Sequence, residues 1–143
     1  MDWARYQKLL SDCIVSAEWI LYEVNPKMSL RDGDVLRLGE SQVKVIHTPG
    51  HTEDSVCYYD GTDLFTGDTL FIEAWGRTDL PGGSAAELYS SLHGIIMRLP
   101  ATTVIYPGHD YGDVRFRTLA DESLRNPALR AKTLKDFLRL TQD

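Results

Sequence analysis

Three short β-like runs each end in a glycine-containing loop that carries an imidazole or a carboxylate, and this repeated pairing constrains the fold more than any other feature. The loops are His47-Thr-Pro-Gly-His51-Thr52, Phe65-Thr-Gly-Asp68-Thr69 and Tyr106-Pro-Gly-His109-Asp110-Tyr111. Strands that deliver such loops belong to a rigid sheet, and a sheet can hold His51, Asp68 and His109 at its strand ends in ligand geometry. That is a metal site in outline. His47, His51, His93 and His109 are the only histidines of the chain, and no His-x-His-x-Asp-His cluster precedes them.

Composition narrows the class. A chain of 143 residues, 43% of them hydrophobic, can bury one ordinary core, so residues 1–143 are expected to form a single domain. A net charge of −6, with no Lys/Arg stripe interleaved with aromatics, argues against nucleic acid as a partner. Cys13 and Cys57 form neither a metal-spaced pair nor a secreted disulfide framework, which fits a reduced, intracellular protein. The start lacks a basic segment followed by an apolar one, and nowhere do eighteen apolar residues run together. The expectation is a cytoplasmic protein with no membrane partner.

Along the chain, residues 3–11 carry Trp3, Tyr6, Leu9 and Leu10 on one side of a weak amphipathic helix. Residues 13–17, 19–22 and 35–38 read as extended pieces, the last introduced by a turn at Arg31-Asp-Gly-Asp34. Residues 42–46 alternate and run into the first loop. Residues 55–59 and 63–66 form a hairpin turning at Asp60-Gly61, which delivers Asp68 at a strand end. Leu88, Leu92, Ile95, Ile96 and Leu99 recur at helical spacing, predicting a helix over 85–99 that Pro100 stops. Residues 103–106 form another strand ending at His109, and 117–124 and 127–140 read as helices, with Pro127 in a first turn. The order implies an α+β layered arrangement with function at strand ends.

With these motifs in view, the chain resembles the C-terminal portion of the metallo-β-lactamase superfamily, nearest the glyoxalase II and persulfide dioxygenase branch. His51 matches the family's third-motif histidine, Asp68 the aspartate that can bridge two metals, and His109 the last histidine of the metal site. Gly76-Arg77-Thr78-Asp79 is similar to the segment that places an arginine beside the thiol substrate in persulfide dioxygenases. Tyr111 resembles the tyrosine bordering that pocket. Leu80-Pro-Gly-Gly83 is more like hydrolase-type members, and Ala128 stands where the dioxygenases are expected to carry a substrate-binding arginine, so the substrate class stays open.

The resemblance implies a truncated αββα sandwich, the C-terminal half plus part of the first, completed by dimerisation. It implies Asp68 as a catalytic residue, His51, Asp68 and His109 as metal ligands, and Arg77 and Tyr111 as contacts to a small thiol or thioester. The family's His-x-His-x-Asp-His motif is missing, so the chain reads as N-terminally incomplete, holding one Zn or Fe ion at most, or none. The implied activity is metal-dependent hydrolysis or persulfide oxygenation, weak or absent in the isolated chain. The alternatives are a non-catalytic folded remnant, a homodimeric binding module, or one subunit of a split enzyme. Either a second copy, with Trp3, Trp19 and Tyr22 as interface candidates, or a separately encoded N-terminal half would cover the sheet. His47 and His93 read as structural, and Arg77 and Asp79 can also form a simple ion pair.

Overall fold

In the computed structural model of the chain, residues 30–141 are described, and those from Arg31 onward belong to one compact unit. The expected helix over 3–11, the extended pieces at 13–17 and 19–22, and the interface candidates Trp3, Trp19 and Tyr22 lie outside the described residues. The sheet has six strands, ordered β1-β2-β3-β4-β7-β8. These are β1 (Val35–Leu38), β2 (Ser41–His47), β3 (Val56–Tyr59), β4 (Asp63–Gly67), β7 (Val104–Pro107) and β8 (Arg117–Thr118). A separate two-stranded hairpin comprises β5 (Leu70–Phe71) and β6 (Ala74–Trp75). The helices are α1 (Ala85–Gly94), α2 (Leu119–Arg125), α3 (Pro127–Arg130) and α4 (Leu134–Leu140).

The alternation in β2 has the predicted consequence: Val43 and Val45 are buried while Gln42 and Lys44 face outward. At the strand's end the rule lapses, because Ile46 is buried beside Val45, as in a strand covered on both faces. The hairpin of β3 and β4 forms with Tyr59 opposite Leu64. Asp60 closes its turn, since the Asp60 carboxylate accepts from the Thr62 and Asp63 amides. One core joins sheet and helices: Ile46, Cys57, Leu64 and Ile105 pack with Leu88 and Leu92 of α1, Leu119 of α2, Leu129 of α3 and Phe137 of α4.

One pairing could not be read from local pattern. β4 and β7 are parallel, whereas every other neighbouring pair in the large sheet is antiparallel. The intervening hairpin and α1 provide the long crossover that a parallel pair requires. Two antiparallel steps separate β2 from β4, so β2, β4 and β7 all run in one direction. Their C-terminal ends therefore meet along one edge, and the three motif loops meet with them.

The helices differ from expectation in their breaks. The run expected over 85–99 is helical only to Gly94, and Ile95 adopts φ −121°, ψ −66° before a 3₁₀ turn at Ile96–Arg98. Glycine is the weakest helix former after proline, and here it ends the regular ladder, with tighter bonds finishing the turn. Residues 117 and 118, expected in a helix, extend the sheet, because Thr118 acts as the N-cap of α2 and its hydroxyl accepts from the Asp121 amide. The helix expected over 127–140 is two helices. Pro127 does occupy the first turn of α3, but Thr133 opens a second N-terminus by capping the Asp136 amide.

Candidate metal centre

The first loop is fastened before it reaches His51. The Ser91 hydroxyl donates to the Pro49 carbonyl at 2.7 Å, and the Ser84 amide donates to the Gly50 carbonyl at 2.8 Å. Gly50 has φ +139°, and a Cβ there would lie 2.3 Å from the Leu88 amide nitrogen. Only glycine lets the loop lie this close to α1. His47 contributes to the scaffold, as its sequence position suggests: its Nε2 donates to the Glu53 carbonyl at 2.8 Å, and its amide donates to Asp32.

Below the site, the buried Thr48 hydroxyl meets Cys57 Sγ at 3.3 Å and the Thr69 hydroxyl at 3.1 Å, joining the first two loops. Burial pushes the Cys57 thiol up to about 11, with hydrogen bonds to Thr48 and Thr69 pulling weakly the other way. An unfolded chain ionises this thiol near pH 9 while the folded chain holds its proton. The stabilisation is therefore complete below pH 9 and is lost as the pH rises through 9 to 11. At about 1.4 kcal/mol per pH unit, the loss approaches about 3 kcal/mol. Urea unfolding of the wild type and Cys57→Ala at about pH 8 and about pH 11 checks this, with Cys13 common to both: only the wild type is expected to show this increment.

The three candidate ligand residues then converge. His51 Nδ1 donates to the Arg77 carbonyl at 2.8 Å, which fixes the tautomer and leaves the Nε2 lone pair facing the loop edge. That Nε2 lies 3.7 Å from Asp68 Oδ2, and His109 Nε2 lies 3.3 Å from Asp68 Oδ1. One carboxylate thus presents a different oxygen to each imidazole. The approach is set by glycines. A Cβ at Gly108 would lie 2.9 Å from Asp68 Oδ1, and one at Gly76 would lie 1.9 Å from the Asp68 carbonyl oxygen and 3.1 Å from His51 Cβ.

The donor set of two imidazole nitrogens and a carboxylate suits Zn²⁺ or Fe²⁺. It fits as two half-sites sharing Asp68, because each carboxylate oxygen has one imidazole beside it. Among the described residues no group of three His, Cys, Asp or Glu side chains could by itself hold an ion.

Of the two expected substrate contacts, Tyr111 lies at the site and Arg77 is engaged. Tyr111 is 68% exposed and stacks on His109, with ring centroids 5.1 Å apart at 14°, while it meets Phe71 in a T-shaped contact. The Arg77 guanidinium makes two 2.7 Å hydrogen bonds to the Asp79 carboxylate. That hydrogen bonding holds Asp79 down at about 2 and raises the guanidinium. The contribution of Arg77 that sequence reasoning missed is its backbone carbonyl, which orients His51. Its neighbour Gly76 was missed too, although a glycine directly before the arginine was the available signal for a close approach. His93 stays clear of the site: it stacks on Tyr89 and its Nε2 donates to the Ala128 carbonyl. Among the described residues no helix is long and apolar enough to cross a membrane.

Comparison with known proteins places this geometry in context. A family model described as the metallo-beta-lactamase superfamily matches residues 3–109. A probable hydroxyacylglutathione hydrolase of Schizosaccharomyces pombe is 42% identical over 106 residues, covering 70% of this chain and 40% of that protein. The mitochondrial persulfide dioxygenase ETHE1 of Homo sapiens is 39% identical over 115 residues, covering 79% of this chain and 45% of that protein. The crystal structure of ETHE1 from Myxococcus xanthus superposes with a TM-score of 0.77 at 39% identity, covering 81% of this chain and 52% of that one. The chain therefore spans about half the length of the relatives it matches.

Proposed function

Because this chain belongs to the metallo-beta-lactamase superfamily, we propose that it supplies the Asp68 half of a Zn or Fe centre acting on a small thiol-containing substrate, either a thioester or a persulfide. The observation that carries the reading is the Asp68 carboxylate, with one oxygen toward His109 Nε2 and the other toward His51 Nε2. A bound zinc ion would supply Lewis acidity to a thioester carbonyl, and a bound iron ion the redox chemistry of thiol oxidation. The chain's own residues hold and orient: His51 is aimed by the Arg77 carbonyl, and His109 is held under Tyr111. Tyr111 offers an exposed ring and hydroxyl to a substrate arriving at that edge. For Arg77 to contact an anionic group it has to share or release Asp79.

The isolated chain is expected to bind metal weakly and to turn over little, since each ion position has two donors here. Four histidines serve the whole sequence, and His47 and His93 are committed to carbonyls. A second copy can cover the sheet, yet it brings no spare imidazole. The reading therefore takes its further imidazoles from polypeptide outside this sequence, covalently joined or separately made. The competing reading, a folded module without catalysis, is favoured by the lack of a three-ligand group among the described residues.

Metal content by plasma mass spectrometry separates the two. The chain is loaded with Zn²⁺ or Fe²⁺ alone and then together with the N-terminal half of a relative that carries the His-x-His-x-Asp-His motif. The proposal expects tight uptake, with thioester hydrolysis or persulfide oxidation, only in the complemented sample, and expects His51→Ala and His109→Ala each to remove it. Complementation that yields a stable complex without metal uptake sinks the reading in favour of the non-catalytic module.

A further inference from the structure

Between the small hairpin and α2 lies a buried charged cluster that no ligand role explains. Glu122 is fully buried, and one of its oxygens accepts from the Glu73 amide and, at 2.9 Å, from Asn126 Nδ2. Its other oxygen accepts from Arg117 Nη1 at 3.1 Å. Asn126 is also fully buried, and its Nδ2, one proton of which serves Glu122, has the Ala74 carbonyl at 2.9 Å and the Phe71 carbonyl at 3.2 Å to share the other. Arg117, with a side chain only 9% exposed, also donates to the Glu73 carboxylate at 2.8 Å and to Asp113 at 2.6 Å. One carboxylate and one carboxamide side chain thus hold Glu73 of the β5–β6 turn and the flanking strand residues Phe71 and Ala74.

That turn contains a backbone conformation that L residues rarely adopt. Glu73 is the one non-glycine among the described residues with positive φ, at +57°, a conformation that costs free energy unless the surroundings impose it. The surroundings are Glu122 on its amide and Arg117 on its carboxylate. A charged group buried this completely is stabilised only when its hydrogen-bonding capacity is met, and Glu122 meets it with the Glu73 amide and with two side chains, Asn126 and Arg117, that themselves bond to the same hairpin.

The held turn then meets the His109 loop. Phe71 is 6% exposed, with its ring 5.9 Å from that of His109 and 5.1 Å from that of Tyr111. A Cβ at Gly112 would lie 2.6 Å from Ile72 Cβ, so the loop carrying His109 and Tyr111 lies directly on the turn. Arg117 closes the circuit from the other side through Asp113 of the same loop.

We propose that Glu122, with Asn126 and Arg117, is a positioning device for His109. The cluster holds the β5–β6 turn so that Phe71 and Ile72 seat the His109–Tyr111 loop, and it does nothing comparable for His51, which is aimed by the Arg77 carbonyl. This assignment rests on His109 being a metal ligand, but its test does not. His109 lies beside two aromatic rings, stacked on Tyr111 and tilted against Phe71, so ring currents make its imidazole resonances sensitive to small displacements of Phe71 and Tyr111.

Imidazole carbon–proton correlation spectra of the metal-free chain, recorded under identical conditions, are compared for the wild type and Glu122→Gln. Glutamine keeps the shape but replaces an acceptor with a donor facing Arg117. The expected result is a shifted or broadened His109 signal with His47 and His51 unmoved. In the complemented protein, metal affinity is expected to fall by about 10- to 100-fold, the range for partners behind a ligand. Arg117→Lys keeps the charge with a shorter reach and is read in the same way, and it serves in place of Glu122→Gln if that variant does not fold. A lowered melting temperature with all histidine signals unmoved, or with all of them moved alike, overturns the proposal. Failure of metal uptake in the wild type, with the His109 shift present, overturns the proposed function and leaves the positioning role standing.

Discussion

Asp68→Ala is expected to lower the affinity of the complemented site for Zn²⁺ or Fe²⁺ by at least about 100-fold while leaving the fold nearly unchanged. Removing a group behind a ligand costs about 10- to 100-fold, and the proposed function makes Asp68 itself a ligand, with its oxygens facing two imidazoles, so the upper end of that range is the floor. Stability should respond little. The Asp68 side chain is 37% exposed, and its ion-pair contacts are to His51 Nε2 at 3.7 Å and His109 Nε2 at 3.3 Å. Truncating it opens no cavity, so a change within about 0.5 kcal/mol is expected, as for a surface substitution. Competition with a chromophoric chelator measures the affinity, and urea unfolding measures the stability. Asp68→Asn sharpens the comparison, because it preserves volume but replaces one acceptor oxygen with a donor nitrogen. Unchanged metal uptake in both variants would mean that any ion bound by this protein is held elsewhere.

Gly76→Ala should do the reverse and strike the fold together with the site. The new methyl would lie 1.9 Å from the Asp68 carbonyl oxygen and 3.1 Å from that carbonyl's carbon, and both are backbone atoms that cannot swing aside. The hydrogen bond from the Gly76 amide to the Thr69 carbonyl, at 3.4 Å, must yield with them. Overpacking of well-packed regions costs about 1–3 kcal/mol and sometimes more, and a clash with rigid backbone belongs at or above the top, so a loss of about 3 kcal/mol is expected. For a domain of this size that lowers the melting temperature by about 10 °C. Metal affinity falls as well, because His51 Cβ lies 3.1 Å from the same point and the next residue supplies the carbonyl that orients the ring. Gly94→Ala is the control. A Cβ there meets nothing within 4 Å, and the residue lies at the end of α1, so neutrality or a gain of up to about 1 kcal/mol is expected. If Gly76→Ala melts with the wild type, the close approach of the two segments is not rigid.

The predictions draw unequally on sequence and structure. The alternation ending at Ile46, the turn at Asp60 and the glycine loops after β2, β4 and β7 made the strands and the candidate ligand residues legible, because period-two burial and the conformational demands of turns act within a few residues. Helix breaks were less legible. The spacing of Leu88 to Leu99 fits one helix, and so does that of residues 127–140. Gly94 in one and Thr133 in the other end the ladder through backbone preference and capping, which apolar spacing does not register. Arg77 shows the same division inside the site. Its charge suggested a substrate contact, but the guanidinium is bound to Asp79 and its carbonyl orients His51.

By itself the sequence determined which side chains are available for chemistry: His51, Asp68 and His109, each on a loop that short-range turn rules place at a strand end. It also determined the family, since those three motifs occur in family order. Only the tertiary structure decided that the three meet. That depends on β7 lying parallel to β4 so that β2, β4 and β7 share one edge, a pairing across some forty residues that no local preference encodes. It also decided that Asp68 divides its oxygens between two imidazoles, and that Glu122, Asn126 and Arg117 converge on one hairpin turn. Such contacts arise from the burial of a whole core and from the demand that every buried polar group find a partner, and both are conditions on the assembled chain rather than on any segment of it.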